Sequence, residues 1–148
     1  MEKYDRQMAD RVWQRVRTTG EQEPLELQGM IQEEMAAVVA YRQLARQLGG
    51  KDGEVLQRLA REAQNRVDCL RGIHKLATGE NVAMKLPRPV QERPNLLLRK
   101  CYAGILKRIA TYEALSGHRE YGPAFGSMSG QERDNSRILL ELLGRMEK

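Results

Sequence analysis

LELQGMIQEEMAAVVAYRQLARQLGG, residues 25–50, places Leu27, Ile31, Glu34, Val38, Tyr41, Ala45 and Leu48 at alternating steps of four and three. All but Glu34 are apolar, and the spacing is that of one helix face in a bundle. Strands would alternate at every second residue, and nothing here does. Gly49-Gly50 ends the run. One acidic residue at the middle of an apolar stripe demands an explanation, because a buried, unpaired carboxylate costs several kcal/mol.

Outward from this stretch the helical period continues. Asp52 suits the N-cap of a second long helix that reaches Thr78 and stops at Gly79. Its stripe reads Val55, Leu59, Glu62, Arg66, Cys69, Ile73 and Leu76, widened by Leu56, Ala63, Val67 and Leu70. GENVAMKLPRPVQERP, residues 79–94, holds three prolines and reads as a long connection. A third helix spans about Asn95–Ser116, with Leu98, Cys101, Ile105, Arg108 or Ile109, Tyr112 and Leu115 inward. After the turn GHREYG, a fourth runs from Pro123 to Met146 through Phe125, Met128, Glu132, Asn135, Leu139 and Leu142. Upstream, Tyr4, Met8, Val12 and Val16 mark a short helix over 4–17, with Trp13 beside the stripe as a docking anchor. The division is residues 1–20 as short helix and linker, and 21–148 as the bundle. Short links make antiparallel neighbours. The prediction is two αα-hairpins joined by one extended crossover.

The two hairpins echo each other. Glu34, Tyr41 and Leu44 recur 71 residues on as Ile105, Tyr112 and Leu115; Glu62, Asn65 and Leu70 recur 70 on as Glu132, Asn135 and Leu140. Such a repeat predicts a pseudo-twofold axis that gathers Glu34, Glu62, Asn65, Ile105, Glu132 and Asn135 at mid-height.

A central Glu with Tyr seven residues later, then a helix with a Glu-x-x-His frame, and the same pair again, resembles the ferritin-like di-iron carboxylate bundles, in their rubrerythrin-like branch. The resemblance covers about residues 10–147. It implies an all-α, antiparallel four-helix bundle with one long crossover. It also implies a ligand set that this chain keeps only at Glu34, Glu62 and Glu132. Asn65 and Asn135 stand at the histidine positions and Ile105 at a carboxylate position. Neither His74 nor His118 falls where it would restore the set. The function implied is a non-catalytic bundle that has lost its di-iron centre, in a structural or interaction role, with no cofactor. The alternative is a rubrerythrin-like, metal-binding oxidoreductase whose altered site holds iron or manganese weakly through Glu34, Glu62 and Glu132. Tyr41, Tyr112, Asn65 and Asn135 are the hydrogen-bond donors expected around the three carboxylates. Three like charges in a partly dry layer raise each other's pKa, so at least one carboxyl is expected to be protonated.

Other chemistry is poorly supplied. Two cysteines give neither a disulfide scaffold nor a four-cysteine iron site. Cys69 and Cys101 read as buried, inert thiols. No glycine-rich phosphate loop is present. The net charge of +5 is modest, and acidic residues are interspersed with arginines in every helix, so no nucleic acid is expected. Without an apolar run of spanning length or a secretory leader, no membrane is expected and the location is read as cytoplasmic. Val39, Leu56 and Leu70 are assigned to an outer apolar face that would support a homodimer.

Overall fold

The computed structural model describes residues 25–147. In them α1 runs Leu27–Leu48, α2 Gly50–Thr78, α3 Pro94–Leu115 and α4 Gly122–Met146, and no strand occurs among the described residues. The described residues form an all-α four-helix bundle. The helix expected over 4–17, Trp13 and the division at residue 20 lie outside the described residues.

Local chemistry sets the helix ends. Gly49 and Gly50 both take left-handed backbone (φ 63° and 57°), so α1 reverses into α2 through a single intervening residue. Asp52 is therefore not the N-cap. It sits in the first turn of α2, where its charge suits the helix N-terminus, and Arg145 of α4 meets it at 2.9 Å. Pro94 opens α3, a position where proline's missing N–H is no loss, so the connection spans 79–93.

The crossover fixes the topology. It lies along α1, where Gln32 Nε2 donates to the Lys85 carbonyl at 3.0 Å and Gln43 Nε2 to the Val90 carbonyl at 2.7 Å. The chain thus returns to the Gly49 end before α3 begins. As a result α1 packs on α2 and α3, α4 packs on α3 and α2, and the remaining pairs lie on the diagonals. The core has two apolar halves. Leu44, Leu56, Leu59, Leu98 and Leu142 centre one; Ile31, Val67, Leu70, Tyr112 and Phe125 centre the other.

The inward stripes of α1, α3 and α4 are buried, apart from half-buried Leu48 and exposed Met146 at the helix ends. In α2 the buried face is Leu56, Leu59, Ala60, Ala63, Arg66, Val67, Leu70 and Ile73, so the residues that widen the stripe are its centre, and Leu59, Arg66 and Ile73 of the stripe lie beside them. Cys69 and Leu76, placed inward by the sequence reading, are exposed, and Val55 is half-buried. Leu56 and Leu70 are fully buried core residues, not parts of an outer apolar face. Their burial removes the argument that assigned them to a dimer contact. No described helix is long and apolar enough to cross a membrane.

Candidate functional site: a buried ion-pair layer

Charged side chains from all four helices meet between the two apolar halves. Glu34 of α1 and Glu132 of α4 are fully buried, and Arg66 of α2 and Arg108 of α3 are nearly so. Arg66 grips Glu34 with two nitrogens, Nε to Oε2 at 2.5 Å and Nη2 to Oε1 at 3.3 Å. Its Nη2 also lies 2.8 Å from Glu132 Oε1, an ionic contact in which that oxygen has no well-aligned donor. Nη1 donates to Gln131 Oε1 at 2.7 Å. Arg108 Nε donates to Glu132 Oε2 at 2.7 Å and stands 3.4 Å from Glu34 Oε1. The Tyr112 hydroxyl donates to Glu34 Oε2 at 2.7 Å.

The layer is charge-balanced, two guanidiniums against two carboxylates. The expected crowding of three unneutralised carboxylates does not occur, because Arg66 and Arg108 supply the positive charges. Burial alone would lower both guanidinium pKa values. The adjoining Glu34 and Glu132 carboxylates outweigh that cost and hold both above the ordinary arginine value. Tyr112 is raised by burial and by the Glu34 carboxylate. Tyr41 is raised by burial, against the pull of Arg108; its hydroxyl finds no hydrogen-bond partner among the described residues. Burial pushes the Cys101 thiol up to about 12, which leaves it protonated and a poor nucleophile near neutral pH.

The residues expected in the polar layer separate into groups. Glu34, Tyr112 and Glu132 are in it, and fully buried Tyr41 and Ile105 pack in the adjoining apolar half. Asn135 is buried but turns its amide to half-buried Glu62, donating to Oε2 at 2.9 Å. Asn65 is exposed, so its assignment to the layer is corrected. Sequence reasoning left Arg66 between core and rim as a candidate neighbour of the carboxylates, and missed the pairing roles of Arg108 and Gln131. The signal was present for the arginines: Arg66 lay on the inward stripe and Arg108 shared a stripe position with Ile109.

The repeat explains the error in α2. Burial in α1 and α3 does match at 71 residues, through Leu27 and Leu98, Glu34 and Ile105, Tyr41 and Tyr112. In α2 and α4 burial matches at 69, not 70: Leu56 with Phe125, Ala63 with Glu132, Arg66 with Asn135, Leu70 with Leu139. Leu140, paired with Leu70 by the longer offset, is 54% exposed. Ala63, not Glu62, thus occupies the place equivalent to Glu132.

Among the described residues, no three His, Cys, Asp or Glu side chains come together as a metal-holding group. The arrangement keeps Arg66, Arg108, Tyr41, Tyr112 and Cys101 protonated near neutral pH. It does tie four helices together at one height. Comparison with protein-family models, with curated proteins and with solved structures found no match.

Proposed function

We propose that this chain is a ferritin-like, rubrerythrin-like bundle whose two-metal centre has been exchanged for a pair of arginines, and that it serves a structural or interaction role without catalysis. The long crossover, the helix lengths and the carboxylates at Glu34 and Glu132 support the kinship. The observation that carries the loss of metal chemistry is the insertion of the Arg66 and Arg108 guanidiniums between those two carboxylates. A guanidinium brings a fixed positive charge and forked donors to the oxygens a metal would need.

The donor set does not fit a di-iron centre. Glu34 and Glu132 already serve as acceptors for arginine and tyrosine, Glu62 faces Asn135, Ile105 has no donor atom, and Asn65 points to solvent. Binding two ferrous ions beside two permanent guanidinium charges would set four like charges more against two carboxylates.

Elemental analysis of protein purified without chelator, followed by ferrous iron in air, tests this reading. The expected result is no stoichiometric metal and no oxo-bridged absorption in the visible. Iron bound near two per chain, with a visible band that disappears in Glu34→Gln, would overturn it in favour of the altered-site oxidoreductase.

A further inference from the structure

We infer that the layer binds one buried water, held between the Tyr41 hydroxyl, Nη2 of Arg108 and Oε1 of Glu132. Each of these three atoms is sealed from solvent, and among the described residues none has an aligned hydrogen-bond partner. Buried polar groups without a partner are rare, because folding has stripped them of water and returned nothing. Three in one layer need a partner in common.

The three atoms are neighbours. Arg108 Nε donates to Glu132 Oε2 at 2.7 Å, and Nη2 and Oε1 are each joined through a single carbon to an atom of that contact. The guanidinium reaches back one turn along α3, where Nη1 would stand 3.1 Å from a Cβ on Gly104. That is the direction of the Gly49 end, and Tyr41 lies toward the same end, two turns beyond Glu34 in α1. Burial is the main influence on the Tyr41 hydroxyl, and the charges of Arg108 and Glu132 come next, which puts both groups close to it.

The internal repeat says why Tyr41 is left over. Tyr112 donates to Glu34 at 2.7 Å. The 71-residue step carries Tyr41 onto Tyr112 and Glu34 onto Ile105, so a hydrocarbon stands where the Tyr41 acceptor would be. A buried hydroxyl kept without its carboxylate needs another oxygen.

Donor accounting selects the ligand. Nη2 only donates, Oε1 only accepts, and a tyrosine hydroxyl does either. Water accepts from Nη2, donates to Oε1 and has a position left for Tyr41. An ammonium ion cannot accept, and chloride cannot donate and would meet the Glu132 charge. A neutral ligand also keeps the balance of two guanidiniums against two carboxylates. About three polar partners is usual for a buried water. Such a water is a fixed part of the layer and gives bulk solvent no path into it. The inference stands on the three atoms and not on descent from a metal centre, so either reading can fail alone.

A crystal structure of the full chain at atomic resolution, water-selective NOEs and urea melts of Tyr41→Phe and Tyr112→Phe make the test. The crystal should show one water within ~2.7–3.2 Å of all three atoms. In solution the Arg108 guanidinium protons should show a direct NOE to water. Tyr41→Phe should lower the urea midpoint with the slope unchanged, in the same direction as Tyr112→Phe, because a bonded hydroxyl is lost. A hydroxyl with no partner gives the opposite sign, since its removal frees the fold of a buried, unpaired group. A raised midpoint for Tyr41→Phe, a direct bond from Tyr41 to Glu132, Arg108 forked onto both Glu132 oxygens with no water beside it, or no NOE to water at Arg108 would each overturn the inference.

Discussion

Arg66 holds Glu34 through two nitrogens and Glu132 through one, so removing any partner strands a charge in a dry interior. Breaking such a pair costs ~3–5 kcal/mol, far above the ~0–1 kcal/mol of an exposed pair such as Arg145–Asp52. Glu34→Gln should therefore lower the urea midpoint steeply with the slope unchanged, whereas Asp52→Asn should hardly move it. A loss below ~1 kcal/mol for Glu34→Gln would mean that water reaches the layer. The raised pKa values of Tyr41, Tyr112 and Cys101 make a second expectation, in alkali. Burial is the first cause for all three. Each is held neutral in the fold, while the unfolded chain releases its thiol proton above roughly pH 8.5 and its phenol protons above roughly pH 10. Stability is then fully present below pH ~8.5 and falls as pH rises toward the folded values, because the unfolded state binds fewer protons. Two of the five tyrosines should show phenolate absorbance only when helix circular dichroism is lost. Ionisation of all five with helicity intact would contradict the burial of Tyr41 and Tyr112.

At the level of the helix, close approach and phase are what matter. Gly53 opens α2 directly against the end of α1, where an added Cβ would stand 2.8 Å from the Ala45 carbonyl oxygen. Gly72, exposed in the same helix, has nothing within 4 Å of an added Cβ. Gly53→Ala should destabilise by ~1–3 kcal/mol through overpacking. Gly72→Ala should stabilise by ~0.5–1 kcal/mol, since alanine loses less backbone freedom on folding. Thermal melts of the two variants should shift in opposite directions, and a matched shift would refute the tight α1–α2 reversal. Helix phase also decides how much the sequence disclosed. The stripes of α1, α3 and α4 were legible because their apolar residues leave one choice of face. In α2 two neighbouring faces are both rich in leucine, and centring the stripe on Glu62 by analogy with Glu132 set it to one side of the buried centre, with Leu59, Arg66 and Ile73 still inside and Cys69 and Leu76 out. At 3.6 residues per turn a one-residue slip rotates a helix by about 100°, and Asn65 lies about 160° from the buried centre at Ala63. Burial of Leu56, Ala63, Val67 and Leu70 outweighed the polar repeat. Arg66 was visible on the stripe, but a charged residue there reads equally well as rim or core until its partners on three other helices are known.

For the whole molecule, the layer separates two apolar halves that would otherwise pack as one. Every helix contributes to it, Glu34 from α1, Arg66 from α2, Arg108 and Tyr112 from α3, Glu132 from α4. Desolvating four charges costs several kcal/mol per ion, and their mutual attraction roughly offsets this, so the layer adds little net stability. What it adds is register. An apolar interface tolerates a helix that slides or turns, but these ion pairs close only when all four helices stand at one height and in one phase. The five-site variant Glu34→Leu, Arg66→Met, Arg108→Met, Glu132→Leu and Tyr112→Phe tests this, the last change removing a hydroxyl that would lose its acceptor. By comparison with other buried ion clusters, it should be as stable as the natural chain or more so by ~1–4 kcal/mol. Its amide NMR lines should broaden for residues at mid-height, where alternative packings become similar in energy. A variant that unfolds at lower urea by more than ~3 kcal/mol would make the layer a net stabiliser. One that is stable and gives uniformly sharp lines would show that the apolar halves alone specify the register, and the arginines would then need another reason to be inside.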